Sequence, residues 1–156
     1  MKTFTDAAGR TWTISLTLGN AMRVKDALGI DLLQPEAGDP PLLTRLGTDE
    51  MFLGEVICCL LAGQFEAHQV NEQDVRDAFD GNTLLAAQKA FYEELVDFFH
   101  QRGRTDRARA VSAQMRMIEA AVKAVEAKLD ALDIDQAITG AMSGSSPEQS
   151  ESTPGR

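Results

Sequence analysis

The sequence predicts a mainly α-helical protein in which an N-terminal β-hairpin packs on a small helical bundle, followed by a long amphipathic C-terminal helix and a disordered tail. Residues 11–18 alternate polar and apolar side chains, which is typical of a half-buried strand. Later segments carry apolar residues at helical spacing, and the longest of them spans Val111–Leu132. The chain ends in SGSSPEQSESTPGR, which has no aliphatic or aromatic side chain to bury, so we expect no ordered structure there.

Length and composition indicate one globular domain with an appended helix. The 156 residues are 44% hydrophobic and 25% charged, which is ordinary for a soluble protein. We predict a core domain over 1–101, a long helix over 102–139 that is either docked or projecting, and a disordered tail over 140–156. The net charge of −9 argues against binding to nucleic acid or to an anionic membrane surface.

The first element is a hairpin. One face of its second strand carries Trp12, Ile14, Leu16 and Leu18. A partner strand can begin at Phe4, with Asp6 and Gly9 supplying the turn. We expect a short helix over about 20–28 that ends at Gly29, and a loop over the proline- and glycine-rich residues 34–47.

Three helices are expected to complete the core. Thr48 is predicted to cap a helix that is apolar around most of its circumference, lies in the middle of the core and ends at Gly63. Asn71 and Asp74 have the spacing of a capping box. A longer helix then begins at Asn82 or Thr83 and carries the sequence YEEL, residues 92–95, which we expect to face water.

The long helix is predicted to begin near Thr105, after a break at Gly103, and to run to Leu132 or Ile138. Its apolar residues follow one another in alternating steps of four and three and form one narrow stripe, here called the seam: Val111, Met115, Ile118, Val122, Val125, Leu129 and Leu132. Two interpretations stay open. Either the helix folds back and buries its seam on the core, or the seam meets another chain, a second copy of the protein included. In the second case the partner-binding residues are Met115, Ile118, Val122, Val125, Leu129 and Leu132.

The sequence contains no recognisable catalytic constellation. Cys58 and Cys59 are adjacent, so on a helix they point about 100° apart and are expected to be buried free thiols. His68 and His100 have no partner motif. We therefore predict no enzymatic activity, no metal site and no cofactor. One basic cluster, Arg102, Arg104, Arg107 and Arg109, is either a solvated linker or an anchor for an acidic partner or for the acidic tail.

The location of the protein is predicted from two features of the chain. No apolar run reaches the roughly 18 residues that span a bilayer. The segment MKTFTDAAGR has no apolar core of the kind found in signal peptides. We therefore expect the protein to remain in the cytoplasm where it is made, with no membrane partner.

Two stretches carry a recognisable pattern of short motifs. The first contains Phe-x-Asp, then Gly-Arg-x-Trp-x-Ile-x-Leu-Thr, then Gly-x-Asp-Leu-Leu, which are Phe4, Asp6, Gly9, Arg10, Trp12, Ile14, Leu16, Thr17, Gly29, Asp31, Leu32 and Leu33. The second is VNEQDVRDAFDGNTLLAAQKAFYEELVDFF, residues 70–99. Over residues 4–99 the chain resembles the tail assembly chaperones of long-tailed phages, whereas the long helix and the tail lie outside this resemblance.

The resemblance implies a function without catalysis. Proteins of this family hold the tape measure protein, the long helical protein that sets tail length, and keep it soluble until the tail tube protein replaces them. The family is absent from the mature virion, is often made together with a longer frameshifted form, and has no catalytic residues. Two other hypotheses stay open: a structural virion component of the tail or connector, and a small host-directed regulatory binding protein or an unrecognised enzyme.

Overall fold

The computed structural model describes the backbone of residues 1–145 and the side chains of residues 1–133. Within this range the elements are β1 (Lys2–Thr5), β2 (Thr11–Ile14), α1 (Leu18–Leu28), α2 (Leu42–Thr48), α3 (Glu50–Leu61), α4 (Glu72–Asp77), α5 (Gly81–Gln101) and α6 (Thr105–Ser145). The predicted fold class, mainly helical with an N-terminal hairpin and a long C-terminal helix, is confirmed. The chain divides into two compact units, Met1–Arg116 and Met117–Arg156.

The hairpin is organised by one buried carboxylate. β1 and β2 pair antiparallel, with Phe4 opposite Trp12. Asp6 Oδ1 accepts hydrogen bonds from the backbone N–H groups of Ala8 (3.0 Å) and Arg10 (2.9 Å). Its Oδ2 accepts from the indole N–H of Trp12 at 2.9 Å and from the Arg10 guanidinium at 3.3 Å. Gly9 supplies the positive φ of 84° that closes the turn.

The core of the first unit lies between the hairpin, α3 and α5. Trp12 and Ile14 are fully buried, and α3 buries residues around most of its circumference, as predicted. α5 packs against both β1 and α3. The largest fully buried side chains besides Trp12 include Tyr92, Phe91, Phe99 and Ile57.

Several helix ends follow the local signals in the sequence. The Asn71–Asp74 capping box is confirmed, with both reciprocal hydrogen bonds present at 2.9 and 3.0 Å. Gly29 has φ 72° and ends α1, as predicted. Some residues of the short motifs defined above also stabilise helix ends. Thr17, for example, caps α1 by accepting a hydrogen bond from the Asn20 N–H at 3.1 Å.

The predicted loop over residues 34–47 is wrong at its C-terminal end. α2 begins at Leu42 and buries Leu42 and Leu46, which lie one helical turn apart. Burial of these two leucines against α3 outweighs the local proline and glycine signals. Thr48 is the last residue of α2 rather than a cap, and Asp49 caps α3 by accepting from the Phe52 N–H at 3.0 Å.

Other predicted boundaries shift by a few residues. β2 ends at Ile14, and Leu18 opens α1 with 65% of its surface exposed instead of lying on the apolar face of the strand. α3 ends at Leu61, and a 3₁₀ turn over Ala62–Gln64 replaces the predicted stop at Gly63. α5 begins at Gly81 because Asp80 accepts from the Thr83 N–H at 2.9 Å, in place of a start at Asn82 or Thr83.

The prediction that YEEL faces water is also wrong. Tyr92, Glu94 and Leu95 are buried, with 2%, 6% and 1% of their surfaces exposed. The reason is that the hairpin covers α5 on a side that its own sequence does not identify as apolar. Glu94 pairs there with the Met1 amino group, and its Oε2 accepts from the Leu16 N–H at 2.8 Å.

α6 begins at Thr105 as predicted, after Gly103 adopts φ 74°. The helix continues to Ser145, past the predicted ends at Leu132 or Ile138 and into the first residues of the predicted tail. No proline lies between Thr105 and Pro147, and extending an existing helix costs little free energy per residue. Residues 146–156 of the predicted tail lie outside the described residues.

Candidate partner-binding surface

The seam of α6 begins inside the core of the first unit. Ala108 and Val111 are fully buried, and Met115, the first predicted partner-binding residue, is half-buried. Arg107 fixes this end of the helix. Its guanidinium donates to both carboxylate oxygens of Glu36, at 3.1 and 2.7 Å, and to the Leu33 carbonyl at 2.7 Å. The start of the seam is therefore part of the fold.

The second unit carries the rest of the predicted partner-binding residues on one face of a single helix. Ile118 is half-buried, whereas Val122, Val125, Leu129 and Leu132 have 51%, 55%, 53% and 47% of their surfaces exposed. Met117 precedes Ile118 in the chain, lies off the seam and is 65% exposed. Four aliphatic side chains in a row at about half exposure form a continuous apolar stripe along the helix.

Charged residues flank the stripe unevenly. On one side lie Glu119, Glu126 and Asp133, and on the other Gln114, Ala121 and Lys128. The acidic edge is exposed, like the lone lysine of the opposite edge. The two edges of the stripe therefore differ in charge, because only one of them is acidic.

Half of the arginine cluster before the seam is engaged within the first unit. Arg104 forms a two-point ion pair with Asp106 at 3.0 and 2.8 Å, and Arg107 contacts Glu36 as described. The Arg104 guanidinium holds the pKa of the Asp106 carboxyl well below its usual range. Arg102 and Arg109 are exposed. Of the two interpretations, a solvated linker fits Arg102 and Arg109, while Arg107 anchors α6 to the loop before α2.

One concave surface was not predicted from the sequence. A groove of 480 Å³ lies in the first unit between α3, α4 and the start of α5, with Met51, Cys58, Arg76, Phe79 and Leu84 among its lining residues. Met51 is 86% exposed although it belongs to the most apolar helix of the core. The sequence could not reveal this groove because its lining residues come from three separate segments.

The histidine and cysteine side chains considered as catalytic candidates lie in different surroundings. His68 packs on Trp12 with ring centroids 4.4 Å apart, and His100 is exposed. Cys58 is buried and Cys59 half-buried, both thiols are free, and burial raises the pKa of each. Among the described residues, no three His, Cys, Asp or Glu side chains lie close enough together to hold a metal ion.

The fold and the seam define a small helical protein with an exposed apolar stripe on its long C-terminal helix. Within the part of the chain that the structure describes, no helix has both the length and the hydropathy needed to cross a bilayer. Comparison with known proteins found no matching family model and no significantly similar curated protein or solved structure.

Proposed function

We propose that this protein is a non-enzymatic chaperone of phage tail assembly, which acts in the host cytoplasm and binds the tape measure protein through the exposed part of its seam. The observation that carries the proposal is the row of aliphatic side chains from Val122 to Leu132, each about half exposed on a continuous helix. The resemblance of the motif pattern over residues 4–99 to tail assembly chaperones supports the choice of the tape measure protein as client and of the tail tube protein as the subunit that replaces the chaperone.

The chemistry of the seam suits a long helical client. A tape measure protein presents apolar stripes along its helices, and an amphipathic helix can cover such a stripe by aligning its own anchors at a spacing of three and four residues. Met115 and Met117 add flexible, polarisable side chains that adapt to different client segments. Covering the stripes prevents the client from aggregating before the tail tube protein arrives.

The strength of the contact follows from the exposed surface. Ile118 and the four half-exposed side chains from Val122 to Leu132 each have on the order of 1 kcal/mol of burial still to gain, so together they supply roughly 5 kcal/mol before the cost of association is subtracted. One chaperone therefore binds one client site weakly. Many copies along a long client hold it soluble together, and each copy is readily displaced.

Co-expression with a candidate tape measure protein, a very long helical protein encoded in the same genome, tests the proposal. We expect the wild-type chain to raise the soluble fraction of the client. Val122→Asp places a charge in the seam and is expected to abolish this gain. Ala127→Asp makes the same charge change on the opposite, exposed face of the same helix and serves as the matched control, which is expected to retain the gain.

Two outcomes would contradict the proposal. The first is a soluble yield of client that does not change when the chaperone is present. The second is recovery of the protein from purified virions in stoichiometric amounts, which would favour a structural role in the tail or connector instead.

A further inference from the structure

We infer that the exposed seam also pairs with the seam of a second copy of this chain, and that the two helices run parallel. The seam positions repeat as a heptad: Met115, Val122 and Leu129 at a, and Ile118, Val125 and Leu132 at d. Val111 is sealed in the core of the first unit, so the self-pairing segment is Ile118–Leu132. The charges beside that segment decide the orientation.

In a parallel pair, each g position faces the e position of the next heptad of the partner helix. Lys128 at g then meets Asp133 at e of the other copy, and symmetry gives this attraction twice. Ala121 meets Glu126 in the same way, and Gln114 meets Glu119. Parallel pairing therefore creates two ion pairs and brings no like charges together across the interface.

In an antiparallel pair, e positions face e positions and g positions face g positions. All e positions from residue 119 to 133 are acidic: Glu119, Glu126 and Asp133. When the two segments overlap fully, Glu119 of each copy meets Glu126 of the other. Shifting the register by one heptad places Glu119 against Glu119, or Glu126 against Glu126. Lys128 meets no acid in any of these registers, so antiparallel pairing brings only repulsion.

The paired segment is short, about two heptads, and coiled coils of this length associate weakly. We expect a dissociation constant on the order of micromolar or weaker, so that monomer and dimer exchange readily. If the seam also binds a client, as proposed above, the second copy and the client compete for the same side chains. Self-pairing then covers the seam until a client is present.

Cysteine cross-linking of the purified protein, with no client added, tests the orientation. Ile118→Cys and Leu129→Cys are made separately, and linked peptides are identified by mass spectrometry so that links through Cys59 are not counted. If the helices are parallel, two copies of the same variant form a disulfide with each other. A mixture of the two variants then gives no link from residue 118 to residue 129. If the helices are antiparallel, only the mixture forms a disulfide, which joins residue 118 of one copy to residue 129 of the other. Ala127→Cys, on the opposite face, is the control and is expected to remain unlinked.

A charge reversal tests the ion pair independently. Lys128→Glu is expected to weaken self-association about fivefold in sedimentation equilibrium, because it turns two attractions into repulsions. Adding Asp133→Lys to this variant restores the attraction with reversed signs and should restore association. The inference is overturned if the seam variants link no more than the Ala127→Cys control, if only the mixture links, or if Lys128→Glu leaves self-association unchanged. None of these results depends on the chaperone function.

Discussion

Two valines of α6 provide the sharpest test of the structure, because the seam pattern treats them alike and the fold does not. Val111 is fully buried, whereas Val122 is 51% exposed. The same substitution, valine to alanine, at both positions separates the part of the seam that stabilises the fold from the part that remains open to a partner.

The expected losses in the free energy of unfolding differ clearly between the two positions. At Val111, the loss of two buried methyl groups costs about 1.6 kcal/mol in transfer free energy, and the cavity adds to this. The better helix propensity of alanine returns up to about 0.7 kcal/mol, so we expect the free energy of unfolding to fall by about 2 kcal/mol. At Val122, the smaller loss of burial and the propensity gain nearly cancel, and we expect a change below about 0.5 kcal/mol.

Urea denaturation followed by tryptophan fluorescence measures both values. Trp12 is the only tryptophan and is fully buried in the first unit, so its emission reports the unfolding of the core. The measurement is made at submicromolar protein concentration, below the dissociation constant expected for the self-pair, so that self-association contributes little. Equal destabilisation by Val111→Ala and Val122→Ala would refute the reasoning and favour the alternative in which the whole seam is buried within one chain.

Four further variants test the buried polar groups. Asp6→Asn should lower the stability by about 2 kcal/mol, because an amide NH₂ cannot accept the hydrogen bonds from Trp12 and Arg10; urea titration monitors this. Burial raises the pKa of the Asp6 carboxyl, but its hydrogen bonds from Trp12, Arg10 and Ala8 outweigh burial and leave the pKa below its usual range. The carboxylate's contribution is thus complete above about pH 5, and denaturation curves should show it being lost as the pH falls below about 4. Glu94→Ala should cost about 2 kcal/mol by leaving the Leu16 N–H buried without an acceptor, and Glu94→Gln should recover most of this in the same assay. Tyr92→Phe should be neutral or stabilise by up to about 1 kcal/mol in thermal melts, since the Tyr92 hydroxyl is buried and, among the described residues, has no hydrogen-bond partner.

Features that depend on a few neighbouring residues could be predicted from the sequence. The Asn71–Asp74 capping box, the left-handed Gly29 and the break at Gly103 each need only the residues within one turn of the chain. The alternation in β2 likewise identified Trp12 and Ile14 as core residues. In each case the physical cause, a cap, a positive φ or a period of two, acts locally.

Features that depend on contacts between distant parts of the chain could not be predicted from the sequence. Burial of Glu94 requires its contact with Leu16, 78 residues earlier in the chain, and no pattern within α5 reveals it. The helix at Leu42 forms because α3 covers its leucines. For the seam, periodicity identified the face of the helix but not where burial stops, because Val111, at a d position, and Val122, at an a position, belong to the same repeat.

The continuity of α6 supports the proposed binding by a seam whose exposed apolar surface is small. An isolated helix of this composition would be only marginally stable in water, because forming its first turn is costly. In this protein the first turns are held by Arg107, Glu36 and the buried Val111, so the residues that follow only need to extend an existing helix. A seam that is already helical does not lose backbone entropy when it binds. The roughly 5 kcal/mol still to be gained by burying its exposed side chains therefore goes into association and is not spent on folding the helix.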